Sequence, residues 1–330
     1  MKLALNCHNI DLLWPAMTEN VLSDDVPNAW ARVGSRVDAQ SWPTHALYVV
    51  ATPIGNLGDL TLRAWQALDR ADIIAAEDTR ATRTLLEAWG ISTPLMAAHR
   101  HNESSAAQAI VERLQAGQRV ALVSDAGAPA VSDPGGLVVQ AVHAAGLKVV
   151  PLPGPSAVIT ALMATGVTTD AHPGFLFAGF APTKAMARQR WFKQFSSLPA
   201  AMVYYEAPHR IAASLQDLLT VAGPARTVSV ARELTKRFEE VVTMPLADAP
   251  AWVAADSHRE QGEYVVILHA EHREEASDEE ALENAASVDV WLDALLETVS
   301  VRDAARIAAR ATGQSRDTLY ARALARKPKA

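Results

Sequence analysis

The segment "RVALVSDAGAPAVSDPGGLVVQAVHAAG", residues 119–146, decides the fold. Its first five residues are an apolar run of strand length, and "GLVVQAVHAAG" reads as a helix. Between them lie small residues, Ser, Asp, Ala, Gly, Val and Pro, that serve either as a spacer or as the floor of a binding site. Which of the two holds depends on whether the same strand, loop and helix unit recurs on either side.

It recurs. Upstream, "ALYVVAT" reads as a buried strand followed by the "PIGN" loop, and "TLRAWQALDRA" is a helix with Leu62, Trp65 and Leu68 on one face. "DIIAAE" and "PLMAAH" are further strands, separated by a helix that Thr79 is placed to cap and Gly90 to end. "ESSAAQAIVERLQAG" is a helix. Downstream, "KVVPLP" is a fifth strand and "SAVITALMATG" another helix. Apolar strands alternating with helices imply a parallel sheet covered on both faces. A second α/β unit begins near Phe175 and includes "FLFAGF", "AMVYYEA", "RTVSVARE", "FEEVVTM" and "EYVVILHA", with a mixed sheet expected. The fold class is therefore α/β, with two α/β domains and a short helical tail. The expected divisions are a disordered head over 1–44, domains over 45–170 and 171–270, an acidic linker over 271–286 and a basic helical tail over 287–330.

Composition narrows the function classes. The 330 residues suffice for two domains with cores of their own, and 49% apolar with 20% charged residues is ordinary for a globular protein. No apolar run reaches the roughly 18–20 residues that cross a bilayer. Polar residues interrupt the first 16 positions where a signal peptide would need an apolar core, so a cytoplasmic location is expected. A single cysteine, Cys7, excludes a disulfide framework and a cysteine-cluster zinc site, and no metal is expected. The net charge of −7 is unevenly spread. Residues 271–283 hold seven acids and one Arg, whereas residues 302–330 hold eight Lys or Arg and two Asp. The basic end is either a solvated helix face or a surface for phosphates.

In an open α/β sheet, ligands lie beyond the carboxyl ends of the strands. Four loops leave strand ends there: "TPIGN", "EDTR", "SDAGAPAVSDPG" and "PGPSA". The Gly-x-Gly-x-x-Gly fingerprint, the P-loop, His-Glu-x-x-His and Gly-x-Ser-x-Gly are all missing from the sequence. Base candidates are Glu77, Asp78, His101, Glu103, Glu206 and His209. Glu77 and Asp78 would otherwise cap a helix and pair with Arg80 or Arg83, and Glu206 would pair with an Arg in a turn. Asp125, an acid closing an apolar strand, is costly to bury without a partner and is assigned to the site. Ser132 or Asp133 is expected to cap the following helix. Arg80, Arg100, Arg210, Arg232, Lys236 and Arg237 lie at expected strand ends, where they would either be solvated or hold a nucleic-acid backbone. The helix with Lys184, Arg188, Arg190 and Lys193 and the tail residues Arg306, Arg310, Arg316, Arg322 and Arg326 would extend that surface.

"LYVVATPIGNLGDLTLRAWQAL", "ADIIAAEDTRATRTLL", "HNE", "ALVSDAGAPAVSDPG", "VVPLPGPSAVITALMATG", "FLFAGFAP", "YYEAPHRI" and "ARELTKRFEE" occur in order. In these blocks the chain resembles the ribosomal RNA small subunit methyltransferase I family, within the tetrapyrrole-methylase fold. The resemblance covers about residues 47–269 and extends to the helical tail. It implies S-adenosylmethionine as donor, bound between two α/β domains, and 2′-O-methylation of a cytidine in the decoding region of 16S rRNA. It also implies the small ribosomal subunit as partner and a homodimer. Carried over loop by loop, the donor-binding positions are Pro53, Gly55, Asp125, Ala126, Gly127, Ala128, Pro129, Val131, Ser156, Ala157, Tyr205 and Leu234. Ala128 departs from the pattern, since the wider fold often has an acid there and close relatives have Thr. A small-molecule methyltransferase of the same fold and a non-catalytic ribosome-associated module are the alternatives. The basic segments weigh against the former and the intact Gly-Pro loops against the latter.

Overall fold

The computed structural model describes residues 25–170, 173–270, 288–312 and 314–326. The expected acidic linker, the first 24 residues and Gly313 lie outside them. The chain divides into two compact units, the first ending at residue 271.

The first unit contains two five-stranded sheets. The first sheet is built from β1 (Ala46–Val50), β2 (Ile73–Ala76), β3 (Leu95–Ala97), β4 (Arg119–Val123) and β5 (Lys148–Leu152). They pair in the order β3-β2-β4-β1-β5, all parallel. Pro151 lies in β5, an edge strand, where its missing N–H costs no ladder bond. Side chains alternate between two buried faces. Tyr48, Val50, Ile74, Ala76, Ala121 and Val123 pack with α2 (Leu62–Arg70) and α3 (Thr79–Ala88). Leu47, Ile73, Ala75, Val120 and Leu122 pack with α4 (Glu103–Gln115) and α5 (Gly136–Ala144). Because both faces are covered, these strands read in sequence as continuous apolar runs.

The second sheet contains β6 (Phe175–Phe180), β7 (Ala201–Glu206), β8 (Thr227–Arg232), β9 (Glu240–Pro245) and β10 (Tyr264–Leu268). Its order is β6-β7-β10-β8-β9, parallel only between β6 and β7. Met202, Tyr204, Val228, Val230, Tyr264 and Val266 face α7 (Ala185–Phe195), α8 (Ile211–Ala222) and α9 (Ala249–Ala254). The opposite face, with Ala201, Val203, Ala231, Val265 and Ile267, packs on Val158, Ala161 and Leu162 of α6 (Ala157–Thr165). The last helix of the first lobe thus covers the sheet of the second.

Asp25–Asp38 forms a helix, α1, where a disordered head was expected over 1–44. Pro27 falls in its first turn, a position that tolerates the missing N–H. The end of α1 is held by Asp38, which pairs with Arg70, and by buried Val37. Just beyond it, Trp42 packs on Tyr48 and beneath Arg70. Arg70 lies 32 residues from Asp38, so local composition gave no sign of this pairing.

The second unit holds α10 (residues 288–296), α11 (Val301–Thr312) and α12 (Arg316–Arg326) around Val288, Leu292, Ala305, Ala308, Leu319 and Ala323. Ser300 caps α11 by accepting from Asp303 N. Arg322 and Arg326 are paired with Asp289, and Arg326 also with Asp293, so part of the basic tail is spent inside the unit. Arg310 and Arg316 face solvent. No described helix is long and apolar enough to cross a membrane.

Candidate functional site

In the first sheet β1 lies between β4 and β5. The connection from β1 leads past β4 to β2, and the connection from β4 leads past β1 to β5. Adjacent strands whose connections leave in opposite directions open a crevice at their carboxyl ends. The loops after β1 and β4 meet there. Thr52 N donates to Gly127 O and Gly127 N to Thr52 O, both at 2.9 Å. Thr52 Oγ1 donates to Ser124 O at 3.2 Å, and Ser124 Oγ reaches the carbonyls of Ala126 and Gly127. Gly127 has φ +77°, a left-handed conformation that favours glycine. A Cβ on it would lie 3.5 Å from Ile54 Cγ2 and 3.8 Å from Pro155 O, in the space between the loops after β1 and β5. Ala130 (φ +67°) and Ser132 (φ +65°) are left-handed without being glycine, so this loop is held under strain, as loops at functional sites often are.

The assigned donor positions converge. Ala126, Ala157, Tyr205 and Leu234 share one apolar cluster with Ile54 and Val158. Pro53 and Gly55 flank Ile54, and Ser156 precedes α6. Tyr205 is held edge-on by Phe177 and Phe180, with ring centroids 4.9 and 5.3 Å away. Burial, reinforced by the charge of Asp133, pushes its hydroxyl up to about 12, so it stays protonated. Ala128 and Pro129 continue the Gly127 turn, closed by Val131 N donating to Ala128 O at 3.4 Å, while the Val131 side chain is exposed.

Asp125 accepts from Asp78 N at 2.9 Å, joining the loops after β2 and β4 and partnering an acid that needed one. Around it lies a group of carboxylates that sequence reasoning did not assemble. Burial, then the charges of Glu77 and Asp125, push the Asp133 carboxyl up to about 7, opposed by Arg100. Asp133 does not cap α5, and neither does Ser132. Glu103 does so from the start of α4, accepting from Gly135 N at 2.8 Å and Leu137 N at 2.9 Å. Glu103 is thus spent on structure.

The raised carboxyl has a consequence for stability. The folded protein holds the Asp133 proton more tightly than the unfolded chain, so the penalty for ionising it is absent below pH ~4 and complete above pH ~7. Asp133→Asn is expected to stabilise the protein by roughly 1–2 kcal/mol at pH 8, after allowance for solvent screening, and by little at pH 4.5. Urea midpoints of both proteins at the two pH values measure this.

Other sequence candidates separate clearly. Asp78, not Thr79, caps α3, accepting from Arg80 N at 2.8 Å, and its side-chain and backbone bonds with Arg80 hold its carboxyl down to about 2. An acid so depressed makes a weak base. Glu206 is buried, 3.0 Å from Arg210 Nε, and accepts from Ala207 N. It braces the turn after β7. His101 is exposed beside His99, in the loop whose Arg100 reaches Ser132 O at 3.4 Å. His209 is exposed as well.

The basic candidates divide in the same way. Arg210 donates to Ala181 O and Pro182 O as well as pairing with Glu206. Arg232, 7% exposed, donates to Gln261 O and His258 O. Arg188 of the basic helix is buried against Asp217. These three are structural, contrary to the expectation of a nucleic-acid surface. Lys236 pairs with Glu233 (2.8 Å) and Glu263 (2.9 Å), and its stem crosses Gly55 so closely that a Cβ there would lie 2.4 Å from Lys236 Cγ. It straps the loop after β8 onto the loop after β1. Arg80, Arg100 and Arg237 remain at the surface, Arg237 over the exposed ring of Phe238 at 5.5 Å.

The sequence family described as Tetrapyrrole (Corrin/Porphyrin) Methylases matches residues 46–250, and the one described as RsmI C-terminal HTH domain matches residues 283–327. A ribosomal RNA small subunit methyltransferase I from Vibrio cholerae serotype O1 is 51% identical over 223 residues, 68% of this chain and 76% of that protein. A namesake from Pseudomonas aeruginosa is 43% identical over 286 residues, covering 86% of this chain and 98% of its own. The crystal structure of the methyltransferase CobJ superposes with a TM-score of 0.51 at 21% identity, over 68% of this chain and 93% of that one, a likeness of fold. Two lobes packed through α6, a strained glycine loop at the first sheet's crevice, a helical tail and a relative matched over 98% of its length lead to one assignment: the chain belongs to the ribosomal RNA small subunit methyltransferase I family of tetrapyrrole-type methylases.

Proposed function

We propose that the protein methylates the ribose 2′-hydroxyl of a cytidine in the decoding region of 16S rRNA within the small ribosomal subunit, using S-adenosylmethionine. The observation that carries this reading is the meeting of the Gly127 loop with Thr52 at the crevice of the first sheet, in a chain of this family. The residues fit such a donor. Gly127 leaves the space that a side chain would fill, and the carboxylates of Glu77, Asp125 and Asp133 suit a cationic ligand. Pro53, Gly55, Asp125–Pro129, Val131, Ser156, Ala157, Tyr205 and Leu234 would hold it. When bound, the donor supplies an electrophilic methyl group on a sulfonium, which leaves as a neutral thioether.

The protein's own part is then mostly placement. Holding the ribose oxygen in line at a fixed distance supplies roughly 7–11 kcal/mol of the barrier reduction. The proton of the hydroxyl passes to solvent or to a carboxylate of the Glu77, Asp125 and Asp133 group at the ends of β2 and β4. Arg80, Arg100 and Arg237 are the surface cations of the first unit that contact phosphates; Arg310 and Arg316 are separate candidates on the second. The homodimer and the cytoplasmic location belong to the same proposal.

The test is incubation with labelled donor and small subunits from cells lacking this methylation, followed by mapping of the label. Label on a 2′-O-methylcytidine supports the reading. Label confined to a small tetrapyrrole, or none in RNA, overturns it.

A further inference from the structure

Residues 233–239 connect β8 to β9 and carry an outward-facing pair, Arg237 and Phe238. Phe238 is 64% exposed, and the Arg237 guanidinium lies over its ring, 5.5 Å from the centroid. Single apolar side chains at a surface are common and by themselves mean little. This one differs in how firmly it is held and in where it stands.

The loop is braced along its length. Glu233 (φ +50°) and Thr235 (φ +67°) are left-handed without being glycine. Glu233 Oε1 accepts from Glu263 N at 2.9 Å and from Lys236 Nζ at 2.8 Å. Glu239 N donates to Lys236 O at 3.1 Å, closing a turn with Arg237 and Phe238 at its two central positions. Thr235 N donates to Glu239 Oε2 at 2.5 Å, so the acid next to the ring is engaged, and Glu240 beyond it pairs with Arg259 at 2.6 Å. Leu234, at the start of the loop, is buried with Ile54, Ala126, Ala157 and Tyr205, and Lys236 crosses Gly55. The turn therefore stands at the edge of the crevice, tied to the loop after β1.

We propose that Phe238 is a stacking platform for an unpaired base of the rRNA, with Arg237 meeting the phosphate of the same strand. The inference rests on the reading of the protein as an enzyme that acts on rRNA. A nucleotide presents a flat π-face beside an anion, and this turn presents a flat ring beside a cation. A purely apolar protein surface would leave the guanidinium without a counterpart. Proteins hold single-stranded RNA in this way, by bases laid on aromatic rings and arginine planes. Every base has a π-face, so such a platform tolerates sequence and positions the strand, leaving the choice of nucleotide to other contacts. An ordered turn carries the ring in place before the RNA arrives, which keeps the ordering cost of binding small. At the edge of the crevice, the platform holds a nucleotide near the one whose ribose is methylated.

The experiment measures binding of the full-length protein to small subunits from cells lacking this methylation, by filter retention over a range of salt concentrations. Phe238 is exposed, so its replacement spares the fold. Phe238→Ala and Phe238→Leu are each expected to raise Kd by about 5- to 150-fold without changing the salt dependence, while Phe238→Trp binds at least as well as the wild type. Arg237→Ala is expected to reduce the slope of log Kd against log salt by about one. Calorimetry should show unchanged S-adenosylmethionine affinity in the Phe238 variants. Wild-type affinity for small subunits in Phe238→Ala or Phe238→Leu overturns the proposal. So does a fall in sedimentation mass accompanying the loss of binding, which would assign the ring to a contact between two copies of the chain. In those outcomes the wild type still labels RNA. A wild-type protein that labels no RNA of the small subunit overturns the underlying reading, and the platform with it.

Discussion

Replacing Gly127 by tryptophan is expected to abolish S-adenosylmethionine binding, with no heat detected by calorimetry at concentrations that saturate the wild type. The backbone at φ +77° resists any Cβ, and the indole would extend into the gap between Ile54 and Pro155 that the donor is proposed to use. Gly127→Ala separates the two effects. Its Cβ meets those atoms only at ordinary van der Waals distances, so it carries the left-handed strain of about 1–2 kcal/mol and retains binding. Far-UV circular dichroism of both variants checks that the sheet survives. Binding by Gly127→Trp at wild-type affinity would place the donor elsewhere.

Asp217→Ala is expected to destabilise the protein by about 3–5 kcal/mol, read as the loss of free energy in urea unfolding. Arg188 is buried between α7 and α8 and donates through Nε to Asp217 Oδ2 at 2.8 Å, while Gln189 donates to Oδ1 at 2.7 Å. Removing the carboxylate leaves a guanidinium in the core with only the carbonyls of Pro182 and Thr183 at 3.3 Å. The Arg188→Met/Asp217→Leu double variant removes both charges and is expected to recover most of the loss. A double variant no more stable than Asp217→Ala would mean that the helices are held chiefly by these polar bonds.

The same ion pair illustrates the limits of reading charge from sequence. Strands of the first sheet were legible because burial on both faces leaves continuous apolar runs, and loops rich in Gly and Pro marked their carboxyl ends. The destinations of the charged side chains were not legible. Arg188, Arg210 and Arg232 look in sequence like Arg80 and Arg100, but they end on buried carboxylates or carbonyls contributed by segments up to 29 residues away. Glu103 reads as the first residue of its own helix, yet it caps a different one through Gly135, 32 residues later. Asp133, in a Ser-Asp-Pro-Gly run suited to a cap, instead joins Asp125 of its own loop and Glu77 from the end of β2. Pairings of this kind are set by topology, and single-sequence periodicity does not report them.

The position of α6 bears on how the protein comes apart. It ends the first half of the chain, but its apolar side is laid against β9 and β10 of the second. Cutting the chain near residue 170 would strip one whole face of the second sheet and leave Val158, Ala161 and Leu162 facing water. Burying one such Val or Leu side chain contributes roughly 1.5–3 kcal/mol, so each piece would lose several kcal/mol although each keeps core of its own. The boundary between the lobes is one of chain topology. In folding terms the two sheets are coupled through α6, so opening of the second is expected to loosen the crevice at the first.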